Sequence, residues 1–158
     1  MASAPGYLTN VTLAIESPGN SEWGSQRLLS DAEASQYLAT EAEFTYPATD
    51  TGFVQAVVVS LTPATATLVP ASGLGPVYVD TSEIPTPTLT DTAESSQVLF
   101  GNVVPGLYDL SATDPGTTCA VKMSSGLPSE GWAPTQGGGV GLVVIPGGFT
   151  TGVTIYCR

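Results

Sequence analysis

From Phe53 to Leu61 the chain reads FVQAVVVSL, an almost unbroken aliphatic and β-branched run. A strand buried on one face alternates apolar and polar residues. One covered on both faces does not, so this run predicts a central strand, ended by Pro63. Other runs are shorter. Val11, Leu13 and Ile15 alternate with Thr12 and Ala14, and Ala64–Val69, Val77–Val79 and Val140–Ile145 read as further strands. Val98 and Phe100 share one side of a strand, and extended character resumes from Leu107 to Ala112. Thr117–Met123 places Cys119, Val121 and Met123 on one face, and Thr150–Cys157 does the same for Val153, Ile155 and Cys157. Pro85 and Pro87 keep the 80–96 stretch out of sheet interiors, leaving Thr88–Thr90 as an edge strand.

One segment has the other period. Ala34, Tyr37, Leu38 and Ala42 line one face of a helix spanning about 30–41. Ser30 is a suitable N-cap, and Glu33 three positions on completes a capping box.

The sharpest turn signal is Val104-Pro105-Gly106-Leu107. Pro105 presets φ and Gly106 tolerates φ > 0, so the four residues fit a type II turn. On that basis Gln97–Thr113 is expected to be a hairpin, with Gly106 in the left-handed region.

Eighteen glycines and 13 prolines in 158 residues punctuate the strands at short intervals. That pattern predicts a mainly β, antiparallel sandwich with one short N-terminal helix. Residues 1–51 are expected to form an extension whose helix packs on a sandwich of residues 52–158. Hydrophobic residues make up 42% of the chain, enough for a core, but charged residues only 11%, so Ser, Thr and Gly must cover much of the surface.

The segment Phe100-Gly101-Asn102-Val103-Val104-Pro105-Gly106-Leu107-Tyr108 carries a family pattern: an aromatic, a gap, an aliphatic, then Pro-Gly-x-Tyr. With Val77–Asp80 and Thr88–Asp91 upstream, residues 52–115 resemble the carboxypeptidase regulatory-like domains of secreted and lipoprotein-type bacterial proteins. The resemblance implies an Ig-like, transthyretin-like (prealbumin-like) β-sandwich. It further implies a non-catalytic, extracytoplasmic accessory or binding module.

Charge narrows the partners. The net charge is −11, and only Arg27, Lys122 and Arg158 are positive. Phosphate backbones need clustered cations, so nucleic acid is excluded as a partner. No apolar run reaches transmembrane length, so no membrane insertion is expected. Met1–Pro5 has neither a basic n-region nor an apolar h-region and does not read as a signal peptide.

Cys119 and Cys157 both fall on inward faces of expected strands. In a secreted chain a bridge between them would stabilise by roughly 4 kcal/mol; two buried thiols are the alternative.

Histidine is absent, so Ser-His-Asp and Cys-His machinery and His-based metal sites cannot be built. Paired carboxylates such as Glu41/Glu43 or Asp109/Asp114 leave a two-carboxylate glycosidase as the remote enzymatic reading. Asp80, Glu83 and Asp91, with Glu94, Asp109 and Asp114, could gather oxygens at one end of the sandwich and suit Ca²⁺; no other cofactor is indicated. Trp132, Trp23 and Tyr78 are the candidates for a sugar-stacking platform. The leading expectation is a secreted structural, adhesive or protein-interaction module, with carbohydrate binding as the alternative.

Overall fold

A computed structural model describes residues 1, 3, 5–11, 29–121, 123–124, 127–128, 134–136 and 138–158. Two sheets pack face to face. The larger, of seven strands, runs in the order β1 (Thr9–Val11), β12 (Gly148–Cys157), β2 (Gly52–Val59), β6 (Gln97–Val103), β4 (Leu74–Val79), β5 (Pro85–Thr86). Its seventh strand, β8 (Cys119–Val121), also pairs with β12. The smaller sheet has the order β11 (Val140–Val144), β7 (Gly106–Thr113), β3 (Thr65–Val69). Separately, β9 (Met123–Ser124) pairs with β10 (Leu127–Pro128). This is the expected sandwich. Most ladders are antiparallel, but β12 runs parallel to both β1 and β2.

The expected hairpin at Gln97–Thr113 is corrected. β6 pairs with β2 and β4, whereas β7 pairs with β3 and β11, so the two strands lie in opposite sheets. The other strands decide it: β6 takes the place between β2 and β4 and β7 the place between β3 and β11, so Val98 and Phe100 line the inter-sheet core from one side and Tyr108 and Leu110 from the other. Pro105 and Gly106 therefore mark a crossing between sheets. Gly106 does not adopt positive φ, so the type II assignment fails. A Cβ there would meet only Tyr108 Cε2, at 3.5 Å, an ordinary contact. The crossing is tied instead by the Tyr108 hydroxyl, which donates to the Val104 carbonyl at 2.7 Å in the manner of a tyrosine corner.

The two-sided character of β2 has a structural cause. Val54, Ala56 and Val58 face the smaller sheet. Phe53 faces the other way and joins Val77, Val79, Leu99 and Phe149 under the N-terminal layer. That layer begins with α1 (Asp31–Ala34), which continues as π-helical turns over Ser35–Glu41. The capping box forms as expected: Glu33 N–H donates to Ser30 Oγ at 3.3 Å and Ser30 N–H donates to Glu33 Oε2 at 2.9 Å. Ala34, Leu38 and Ala42 are buried, as the helical period predicts.

Phe44 completes the layer and stacks on Phe53, with ring centroids 6.3 Å apart. Burying such a ring is worth roughly 1.5–3 kcal/mol. Gly101 makes room for it, since a Cβ at that position would collide with the Phe44 ring. Next to it Asn102 adopts φ 53 and clasps Thr45 with its amide, accepting from the Thr45 N–H at 2.9 Å and donating to its carbonyl at 3.0 Å. Asn tolerates this left-handed geometry better than most residues.

Each edge strand of the smaller sheet is stitched to the larger one by a side chain. The Tyr78 hydroxyl accepts the Ala66 N–H of β3 at 3.0 Å. The fully buried Thr150 hydroxyl donates to the Val143 carbonyl of β11 at 2.8 Å. Both contacts use backbone groups that an edge would otherwise offer to another chain.

Smaller differences also have local causes. Thr88–Thr90 is not a strand; Leu89 N–H turns back to the Thr86 carbonyl at 3.0 Å, and the edge strand is the two-residue β5. β4 begins at Leu74, three residues ahead of the expected Val77–Val79 strand. The strand expected up to Ile15 is seen from Thr9 to Val11, and its remainder lies outside the described residues. Cys119 and Cys157 stand directly opposite on β8 and β12 and form the disulfide. Beside them Thr118 and Arg158 exchange backbone hydrogen bonds, both at 3.0 Å.

Candidate functional site

The strands define two ends of the sandwich with different chemistry. At one end β2, β4 and β7 finish and β3 and β6 begin, as their registers require. Asp80, Glu83, Asp91, Glu94 and Asp114 fall in the loops there. At the other end β3 and β6 finish and β4 and β7 begin. Near that end Val69 closes β3, Leu74 opens β4, Leu107 is the second residue of β7 and Val104 lies in the crossing, all exposed.

The carboxylates of the first end hold loops. Asp80 Oδ1 accepts from the Ser82 and Ile84 N–H groups at 2.8 and 2.9 Å, closing the turn between β4 and β5. Glu83 lies in that turn with φ 64. Asp91 Oδ1 accepts from Ala93 N–H at 2.9 Å, and the adjoining Thr92 exchanges two hydrogen bonds with Ala64, both at 3.0 Å. Asp114 is the one buried carboxylate among the described residues. It accepts from the hydroxyls of Ser60 and, at 2.6 Å, Thr62. These hydroxyl donors, Ser60 foremost, favour the ionised form and hold its pKa below the ordinary value. Among the described residues no three His, Cys, Asp or Glu side chains form a group that could hold a metal ion. Asp80, Glu83 and Asp91 therefore share an end of the molecule without converging on a point. The Asp80 and Asp91 oxygens face backbone N–H groups, because each residue shapes its own turn.

Asp109 lies elsewhere, in mid-strand on the outer face of the smaller sheet. Its Oδ2 accepts from the Thr135 hydroxyl at 2.7 Å, while its buried Oδ1 has no hydrogen-bond partner among the described residues. Arg158, the one Lys or Arg among the described residues, places its guanidinium 5.3 Å from the Tyr156 ring centre at the acidic end.

The aromatic platform is corrected in part. Tyr78 is 1% exposed and points between the sheets, where its hydroxyl serves Ala66. Burial raises its pKa, and no face of the ring is open to a sugar. Trp23 and Trp132 lie outside the described residues.

The second end is built from uncharged sequence. No charged residue occurs between Asp50 and Asp80, between Glu94 and Asp109, or between Glu130 and Arg158. These three segments supply the β3–β4 loop, the β6–β7 crossing and the β11–β12 turn, which meet at this end. Ser72 Oγ accepts the Val104 N–H at 3.1 Å and joins the first two. Leu107 is 80% exposed and sits opposite Val143 in the β7–β11 ladder. Val104 and Val69 are 58% and 53% exposed, and Leu74 is 50% exposed. Single exposed aliphatics are ordinary; these four lie near one end of the sandwich, in chain segments free of charge, with Val69 directly opposite Asp109 in the β3–β7 ladder. The strand patterns alone do not reveal this grouping. The three charge-free segments are the signal that could have.

No protein-family model matches the chain, and no curated protein sequence does. No helix among the described residues is long and apolar enough to cross a membrane. The disulfide is compatible with an extracytoplasmic location.

Proposed function

We propose that this chain is a non-catalytic, extracytoplasmic β-sandwich module that makes protein contacts through its uncharged end. The observation that carries the reading is the exposure of Val69, Leu74, Val104 and Leu107 near one end of the sandwich, in segments free of charge within a chain of net charge −11. An apolar cap costs solubility unless something covers it. Two further facts support the reading. Asp80, Asp91 and Asp114 at the opposite end serve as turn and loop holders, which argues for architecture over acid–base chemistry. The sandwich is also the architecture that the resemblance to carboxypeptidase regulatory-like domains implies, and that family assignment is part of the proposal. The carbohydrate-binding alternative loses Tyr78, which is enclosed, and its other two residues, Trp23 and Trp132, lie outside the described residues.

The test is site-specific photo-crosslinking in producing cells, with the reactive side chain at position 107 or, as control, at position 61. Leu61 is 101% exposed at the acidic end. Protein adducts from position 107 and none from position 61 are expected. Equal labelling from both positions, or none from 107, contradicts the reading.

A further inference from the structure

We infer that this sandwich is a load-bearing link. It resists tension applied along its strands, from the segments ahead of β1 and β2 to the end of β12, and yields to tension applied across them. This property comes from the strand topology and is independent of the contact reading.

Among the described residues every ladder is antiparallel except two, and both belong to β12. That strand lies between β1 and β2 and is parallel to each. Parallel neighbours start at the same end of a sheet. β1 and β2 therefore start at the end away from the acidic loops, where Gly148 opens β12. Cys157 closes β12 at the acidic end, roughly 30 Å away over its 10 residues.

A pull ahead of β1 or β2 and a pull beyond Cys157 act in opposite directions along neighbouring strands. They load the ladder in shear, so its hydrogen bonds share the force and must break together. Between β2 and β12 the ladder runs from Phe53 opposite Phe149 to Val59 opposite Tyr156. Sliding β2 along β12 would also drag Val54, Ala56 and Val58 through the inter-sheet core and Phe53 from beneath Phe44. Neighbours pulled apart from adjacent ends open one pair at a time.

Both ends of this path are fastened. Cys157 is bonded to Cys119 on β8, so a pull beyond it is carried by β8 as well as β12. The same bond withdraws a separation of 38 residues from extension. Just ahead of β1, Leu8 N–H donates to the Leu29 carbonyl at 2.9 Å and Asp31 N–H donates to the Gly6 carbonyl at 3.0 Å. These bonds tie β1 to the layer that covers β2.

The test is single-molecule force spectroscopy on the intact, oxidised chain. One handle is at Arg158 and the other at position 50, position 61 or Met1, each attached through a non-natural side chain that adds no thiol. Asp50 and Leu61 are exposed and flank β2 on opposite sides, so the two placements break the same β2–β12 ladder in shear or by peeling. At equal pulling speed, unfolding from position 50 is expected to need at least about twice the force needed from position 61. Pulling from Met1 should resemble pulling from position 50. A force from position 50 no greater than that from position 61 overturns the inference, as does a Met1 force that matches position 61.

Discussion

The acidic end and the uncharged end are made by the same strands, yet they are held together differently. At the acidic end polar side chains organise the loops: Asp80 and Asp91 cap turns, and Asp114 gathers Ser60 and Thr62. At the uncharged end the connections rely on Ser72 and on the Tyr108 hydroxyl, and the aliphatic side chains of Val69, Leu74, Val104 and Leu107 are left outside. The difference separates jobs. Side chains that satisfy backbone groups are committed to the fold, whereas exposed aliphatics on the other end do nothing for the isolated chain and are free to serve a contact.

Substitutions can break this contrast at several points. The largest effect is expected from Asp114→Ala. It removes the acceptor of two hydroxyls at once and frees the β2–β3 loop, so thermal unfolding should move to clearly lower temperature. Tyr78→Phe comes next. It leaves the Ala66 N–H buried without an acceptor, at a cost of about 1–3 kcal/mol by chemical denaturation. Thr150→Val should cost less, about 1 kcal/mol, because an under-satisfied carbonyl is tolerated better than an orphaned N–H. If the two substitutions cost the same, the stitches at the two edges are energetically alike.

Acid should act on one end only. The folded-state pKa of Asp114 lies below its unfolded value near 3.8. Its stabilising contribution is therefore fully present above that value and is lost as pH falls through the lower, folded-state pKa. Native protein and Asp114→Asn should differ in unfolding midpoint at neutral pH and converge in strong acid. A difference that persists at low pH would remove Asp114 from the account. The smallest effect on stability belongs to Val104→Ser with Leu107→Ser, within about 0.5 kcal/mol of the native chain. A large loss would mean that these side chains serve the fold and not a contact.

Much of the architecture was legible in the pattern of residues. The unbroken run at Phe53–Leu61 identified a strand covered on both faces, and Ser30 with Glu33 marked the helix start, because both signals are local. The destination of Gln97–Thr113 was not legible. Val104-Pro105-Gly106-Leu107 announces a reversal, but whether the strands pair or part depends on what β6 and β7 find elsewhere in the chain. Tyr78 was misplaced for a similar reason. A Tyr in a short strand flanked by prolines gives no sign of facing inward, and its partner Ala66 becomes its neighbour only when the sheets stack. Phe44 against Gly101 is likewise a contact between distant segments. The uncharged end was written in the sequence as three charge-free stretches, but their convergence is a property of the topology.

The most direct test of the contact surface is the photo-crosslinking comparison of positions 107 and 61 in producing cells. The account predicts protein adducts from position 107 and none from position 61. Equal labelling from both positions, or none from 107, would contradict it.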